Sequence, residues 1–178
     1  MGAIKRSSKT KAIPNGEGGS MDHQWKAYEL TVVRRWSNKV GPRIESPSSA
    51  VAYFKDVAQD YTQEALWVLG VDGRNNIIGV TEVFKGTATG TSVSIADLLR
   101  PPLLTGAVGF IMVHNHPSGD AEPSDQDVNL TEEVLRACSY HDLTLLDHLV
   151  IGDNNFVSIR SQKPNIWAML QKEDAHGF

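Results

Sequence analysis

The stretch that most restricts how this chain can fold is Ala107 to Val113 (AVGFIMV), followed at once by His114-Asn115-His116-Pro117-Ser118-Gly119. Seven nearly all-apolar residues read as a strand buried on both faces. The strand ends at two histidines one residue apart. On extended backbone, residues i and i+2 project to the same side, so both imidazoles can meet one ion. A loop of residues 117–123 then leads to Ser124, a natural helix N-cap. Beyond it, Asp127 to Ser139 carries Val128, Leu130, Val134, Leu135 and Cys138 at helical spacing. Asp127 falls in the first helical turn, facing the positive end of the helix dipole. Two imidazoles and one carboxylate make three ligands and leave Zn²⁺ a position for water. That is the pattern of catalytic zinc, since structural zinc is closed by four protein ligands.

Each piece has an ordinary explanation. An HxH pair alone arises readily by chance in a chain with six histidines. Ser-x-x-Asp before an apolar run is also a plain capping box. The conjunction carries the argument: a buried strand delivers the histidines to a loop where a helix N-terminus also arrives.

His114-x-His116, seven residues, Ser124, two residues, Asp127 resembles the motif of the JAMM (MPN⁺, JAB) zinc metalloproteases. The longer HNHPSGDAEPSDQD is similar to the RadC branch of that superfamily, and the likeness can be followed from about Tyr28 to Arg160. The resemblance implies Zn²⁺ held by His114, His116 and Asp127, with an upstream glutamate as general base. The glutamate expected in that role is Glu82, because Thr81-Glu82-Val83-Phe84-Lys85-Gly86-Thr87 resembles the RadC pattern of an acid before an aromatic and Gly-Thr. Glu64, the competing carboxylate, is expected to be structural or supporting. By the same analogy Ser124 hydrogen-bonds a developing oxyanion, provided its hydroxyl is free of capping. Asp147-His148 looks like the RadC Leu-Asp-His element: Asp147 is expected to orient a ligand imidazole, and His148 to be a satisfied, half-buried histidine. Two departures stand out. Ser94-Ile95-Ala96-Asp97 replaces a His-Pro-Arg-Glu-like element, and residues 1–45 do not resemble the helix-hairpin-helix region common in RadC proteins.

Charge is unevenly spread. Residues 1–20 carry +3, residues 21–45 carry +2 and residues 46–178 carry −9. An acidic domain is a poor non-specific partner for DNA, whose affinity comes largely from Lys and Arg on phosphates. Weak nucleic-acid contact is expected only through the basic N-terminal arm. The single cysteine, Cys138, fits a reducing compartment and a place in a core, and no apolar run approaches membrane-spanning length, so a cytoplasmic protein is expected.

In chain order, residues 1–27 are expected to be a disordered basic arm, 28–162 a RadC-like JAMM/MPN domain, and 163–178 a tail with a weak helix over Asn165 to Gln171. Strands are predicted over Tyr28 to Arg35, Ala65 to Val71, Ile77 to Phe84, Ala107 to Val113, Leu143 to Ile151 and Phe156 to Ile159. Helices are predicted over Ala50 to Gln59, capped by Ser46 or Ser48, and after Ser94, the latter ending or restarting near Arg100 at Pro101-Pro102. This alternation predicts an α/β fold, a mixed β-sheet flanked by helices. The resemblance makes it a JAMM/cytidine-deaminase-like three-layer domain. The function expected is a zinc-dependent hydrolase acting on a protein or peptide substrate. A DNA-repair-type nucleic-acid-binding protein, or a metal-stabilised interaction module without turnover, are the alternatives.

Overall fold

The structure, a computed structural model, describes residues 41–59, 61–86 and 93–173. The expected arm, the predicted strand over Tyr28 to Arg35 and most of the Gly/Thr-rich loop after Gly86 lie outside those residues. Helix α1 (Pro47–Gln59) begins three residues earlier than predicted. Ser46 is its cap, its Oγ accepting from the Ser49 amide at 3.2 Å, and Pro47 takes the first helical position, where a missing N–H costs nothing. The two strands predicted over 65–71 and 77–84 are β1 (Glu64–Val71) and β2 (Ile77–Gly86), which pair as an antiparallel hairpin. Its turn is tied by Asp72, whose Oδ1 accepts from the amides of Arg74 and Asn76, with Asn75 at φ 61°.

Helix α2 (Ile95–Thr105) is capped by Ser94 at one end and by left-handed Gly106 (φ 70°) at the other. It runs straight through Pro101 and Pro102, against the prediction of a break. An internal proline costs about 3 kcal/mol through a lost hydrogen bond and a clash. Leu98, Leu99 and Pro102 are buried, so packing of that face offsets the penalty. Strand β3 (Gly109–Asn115) is followed by α3 (Asp125–Ser139), β4 (Thr144–Ile151), β5 (Phe156–Ser158), α4 (Ile159–Gln162) and α5 (Pro164–Glu173). Ile166 of α5 is buried in the same core as α3, and Trp167 Nε1 donates to the Leu145 carbonyl at 3.2 Å. The packed body thus continues past the boundary expected at 162.

The five strands lie in the order β2-β1-β3-β4-β5. Only β3 and β4 are parallel, joined by α3 as the crossover helix; the other pairs are antiparallel, giving a mixed sheet. One face packs Leu66, Val68, Phe110, Met112, Leu145 and Val150 against α2, α3 and α5. The other packs Trp67, Leu69, Ile111, Val113 and Leu149 against α1 through Ala50 and Phe54. Three layers result: a helix, the sheet, and a layer of helices. Cys138 is buried as expected, and burial pushes its thiol up to about 12. No helix among the described residues is long and apolar enough to cross a membrane.

Candidate metal centre

β3 is central in the sheet, which is why its interior is apolar on both faces and why polar residues appear only at its C-terminal end. His114 is the sixth residue of β3 and His116 lies just past it. Their rings meet edge to face at a centroid distance of 4.8 Å. The crossover loop returns the chain to Ser124, which caps α3 in a full capping box. Ser124 Oγ accepts from the Asp127 amide (3.2 Å), and Asp127 Oδ2 accepts from the Ser124 amide (2.8 Å) and hydroxyl (2.6 Å). That cap holds the Asp127 carboxylate against both histidines. His114 Nδ1 stands 2.9 Å from Oδ1, and His116 Nε2 stands 3.5 Å from Oδ2. Burial by itself would raise the Asp127 pKa, but hydrogen bonds from His114, His116 and Ser124 outweigh it and hold the carboxyl far below the usual range. The same carboxylate raises the pKa of His116, with burial opposing.

Zinc takes nitrogen and oxygen ligands at about 2.0–2.2 Å, so neighbouring donors of a tetrahedral site stand about 3.3 Å apart. The two Asp127 contacts, one through each oxygen, lie near that spacing, and Glu64, His114 and His116 each offer a donor atom within 4.8 Å of the others, so donors of the kind zinc takes are gathered here. His116 Nδ1 donates to the Asp120 carbonyl at 2.8 Å, which fixes the tautomer and turns the Nε2 lone pair inward. The expected triad of His114, His116 and Asp127 is therefore brought together. Ser124 is bonded on both sides within the cap, so the free hydroxyl expected of an oxyanion donor is not there.

Glu82 corrects the expectation. It pairs with Trp67 on β1, and Trp67 pairs with Val113, so these residues share the α1 side of the sheet. His114 pairs with Leu66 and shares the opposite side. A register shift between Leu66 and Trp67 inserts an extra residue in β2, and this turns Glu82 away from the side of Phe84. Its carboxylate instead accepts from the Tyr61 hydroxyl. The carboxylate that reaches the histidines is Glu64, at the start of β1. It offers an oxygen within 4.8 Å of donor atoms on both His114 and His116. The pairing Ala65↔Asn115 sets Glu64 level with His116. Asn115, assigned no role in the sequence reading, makes the joint: its Oδ1 accepts from the Ala65 amide (2.7 Å) and its Nδ2 donates to the Gln63 carbonyl (3.1 Å), clamping both neighbours of Glu64.

The Leu-Asp-His element also differs from expectation. Asp147 orients no imidazole; its carboxylate accepts from the His148 and Arg160 amides and the Ser158 hydroxyl, tying β4 to β5 and α4. His148 is fully buried, not half-buried. A bulge opposite Phe110 and Ile111 shifts the alternation of β4 and places His148 beside Met112, on the α3 side. There its Nδ1 meets Thr131 Oγ1 at 2.7 Å, and that hydroxyl donates to the Asp127 carbonyl at 2.6 Å. Its Nε2 has no partner among the described residues.

A family model described as "RadC-like JAB domain" matches residues 44–164. This chain belongs to the RadC-like JAB domain family. Among its relatives, the UPF0758 protein of Halorhodospira halophila is 35% identical over 161 residues, covering 89% of this chain and 71% of that protein. The UPF0758 protein of Cyanothece sp. (strain PCC 7425) is 39% identical over 131 residues, 74% of this chain and 54% of the relative. That of Desulforudis audaxviator is 34% identical over 119 residues, 67% of this chain and 52% of the relative. This RadC-like JAB chain thus spans only about half the length of most of these relatives. Membership fits a hydrolase at the level of the family.

Proposed function

We propose that the RadC-like JAB domain is a zinc-dependent peptidase or isopeptidase, with His114, His116 and Asp127 as the ligands and Glu64 as the general base. The observation that carries this reading is a pair of imidazoles approached by two carboxylates: exposed Glu64 offers an oxygen within 4.8 Å of donor atoms on both, and buried, capped Asp127 contacts both at 2.9 and 3.5 Å. When bound there, zinc would polarise a carbonyl and ease the ionisation of water. Asp127, buried and tied through Oδ2 to the cap, keeps Oδ1 for the ion, whereas Glu64 stands at the solvent side where water enters. Glu64 takes the proton of the attacking water and returns it to the departing amine. Ser124 serves first as the cap that aims Asp127, and contributes to oxyanion binding only if Asp127 releases its hydroxyl. Protein chains are favoured over DNA as substrate, because phosphodiester cleavage commonly uses two metals and residues 46–178 carry −9.

The test combines elemental analysis with activity. Purified protein should hold about one Zn²⁺ per chain, as a three-ligand site requires, and His116→Ala and Asp127→Ala should each lose most of it. Glu64→Gln should keep zinc and lose peptide hydrolysis by the roughly 10²–10⁴-fold typical of a general base. Glu82→Gln should keep zinc and lose far less turnover than Glu64→Gln. Loss of zinc in Glu64→Gln would make Glu64 a ligand in place of Asp127, and DNA cleavage abolished by Glu64→Gln would overturn the peptidase reading.

A further inference from the structure

Beside the metal centre lies a cavity of about 510 Å³, lined by Tyr61, His116, Pro117, Ile151, Asp153 and Asn154 among others. Its walls have a specific make-up. The lining is mixed: Pro117, Ile151 and Tyr61 contribute apolar atoms among polar ones, and Asp153 supplies the negative charge. The Tyr61 ring is fixed before any substrate arrives: it packs edge-on against Trp67 (centroids 5.0 Å apart, 76°), its hydroxyl donates to Glu82, and Lys85 Nζ stands 4.3 Å above it. Here Glu82 gains a role as the anchor of that wall.

Asp153 is held in place as well. Two glycines let the loop after His116 and the turn 152–155 come into contact. A Cβ on Gly152 would meet the Gly119 carbonyl oxygen at 2.3 Å, and one on Gly119 would meet Asp153 Oδ2 at 2.5 Å. Gly119 also sits at φ +83°, and its carbonyl accepts from the Asp153 amide at 3.1 Å. Asp153 is exposed and lines the cavity, and no hydrogen-bond donor of the described residues engages its carboxylate oxygens. A cavity that offers both apolar atoms and a carboxylate is complementary to a long methylene stem with a cationic head. The net charge of −9 over residues 46–178 favours the same sign.

We infer that this cavity is the subsite for a Lys or Arg side chain of an extended polypeptide substrate, with Asp153 as its counter-charge and Tyr61 as its wall. The inference rests on the peptidase reading for its catalytic part, and binding tests it separately. The zinc-loaded full chain is incubated with a randomised peptide library, and cleavage sites are read by mass spectrometry. Lys or Arg should be enriched at one fixed position from the cut. Asp153→Asn should weaken that preference about three- to fivefold, as suits a partly exposed ion pair, and Asp153→Lys should transfer it to Glu, with zinc content unchanged in both. In parallel, zinc-loaded Glu64→Gln is titrated with labelled peptides that differ only in Lys against norleucine. Tighter binding of the Lys peptide, abolished by adding Asp153→Lys, supports the subsite even if nothing is cleaved, and then it is the hydrolase that fails. Cleavage without basic preference, or equal binding of the two peptides, overturns the subsite and leaves the hydrolase standing.

Discussion

His148 shows what a single buried ring contributes. Burial pushes its pKa down to about 3, so the folded protein keeps it neutral. In the unfolded chain the same imidazole takes a proton near the ordinary 6.5. Between those values the unfolded state binds a proton that the folded state refuses, so stability is whole above 6.5 and falls as pH drops. The slope from this one group is about 1.4 kcal/mol per pH unit. Asp147, raised by burial above the ordinary 3.8, opposes it in the lower part of the window, and His116, raised by Asp127, acts only above 6.5. In chelator-treated protein, Tm should therefore fall between pH 6.5 and 4.5, and His148→Leu should flatten that fall. Parallel curves for the two proteins would show that His148 is not the group that titrates.

Among the elements, the joint between β1 and β3 decides whether the site has its exposed carboxylate in place. Asn115→Ala leaves the Ala65 amide and the Gln63 carbonyl without their partner, a loss of about 1–3 kcal/mol. It should keep zinc, because His114, His116 and Asp127 are untouched, and should lower kcat well beyond what the loss of folded protein explains. Unchanged kcat on the folded fraction would mean that Glu64 is placed without Asn115. This joint also marks how far the sequence could be followed. The apolar run before His114, the Ser124 cap and the Asp127 turn are local patterns, and local geometry alone brings them together. Glu64 and Glu82 could not be told apart that way. Which of them faces the histidines depends on an extra residue in β2 and on the β1–β3 pairing, and neither leaves a mark in residue type. The bulge in β4 hid His148 from the alternation rule for the same reason. Pro101-Pro102 misled in the opposite direction, since a local penalty was outweighed by packing that only the fold supplies.

Taken as a whole, the molecule draws its candidate metal centre from β1, from the end of β3 and from the first turn of α3. An ion there links parts of the chain that are otherwise joined by packing, and it binds only once they are assembled. At a free zinc concentration about 100-fold above Kd, linkage adds about 2.7 kcal/mol of stability. For a chain of this size that corresponds to about 5–10 °C in Tm. Chelation should remove that increment from the wild type, and scanning calorimetry should find none to remove in His116→Ala; an equal loss in that variant would place the bound metal elsewhere. The sheet order carries one more consequence. His114, His116 and Asp127 all belong to the single unit β3–α3–β4, whereas Glu64 arrives on a separate hairpin. Inheritance can act on the two parts independently. Under the proposed roles, one change on the hairpin would yield a descendant that still grips an ion and no longer cuts, so ion content alone would not sort working lineages from silent ones.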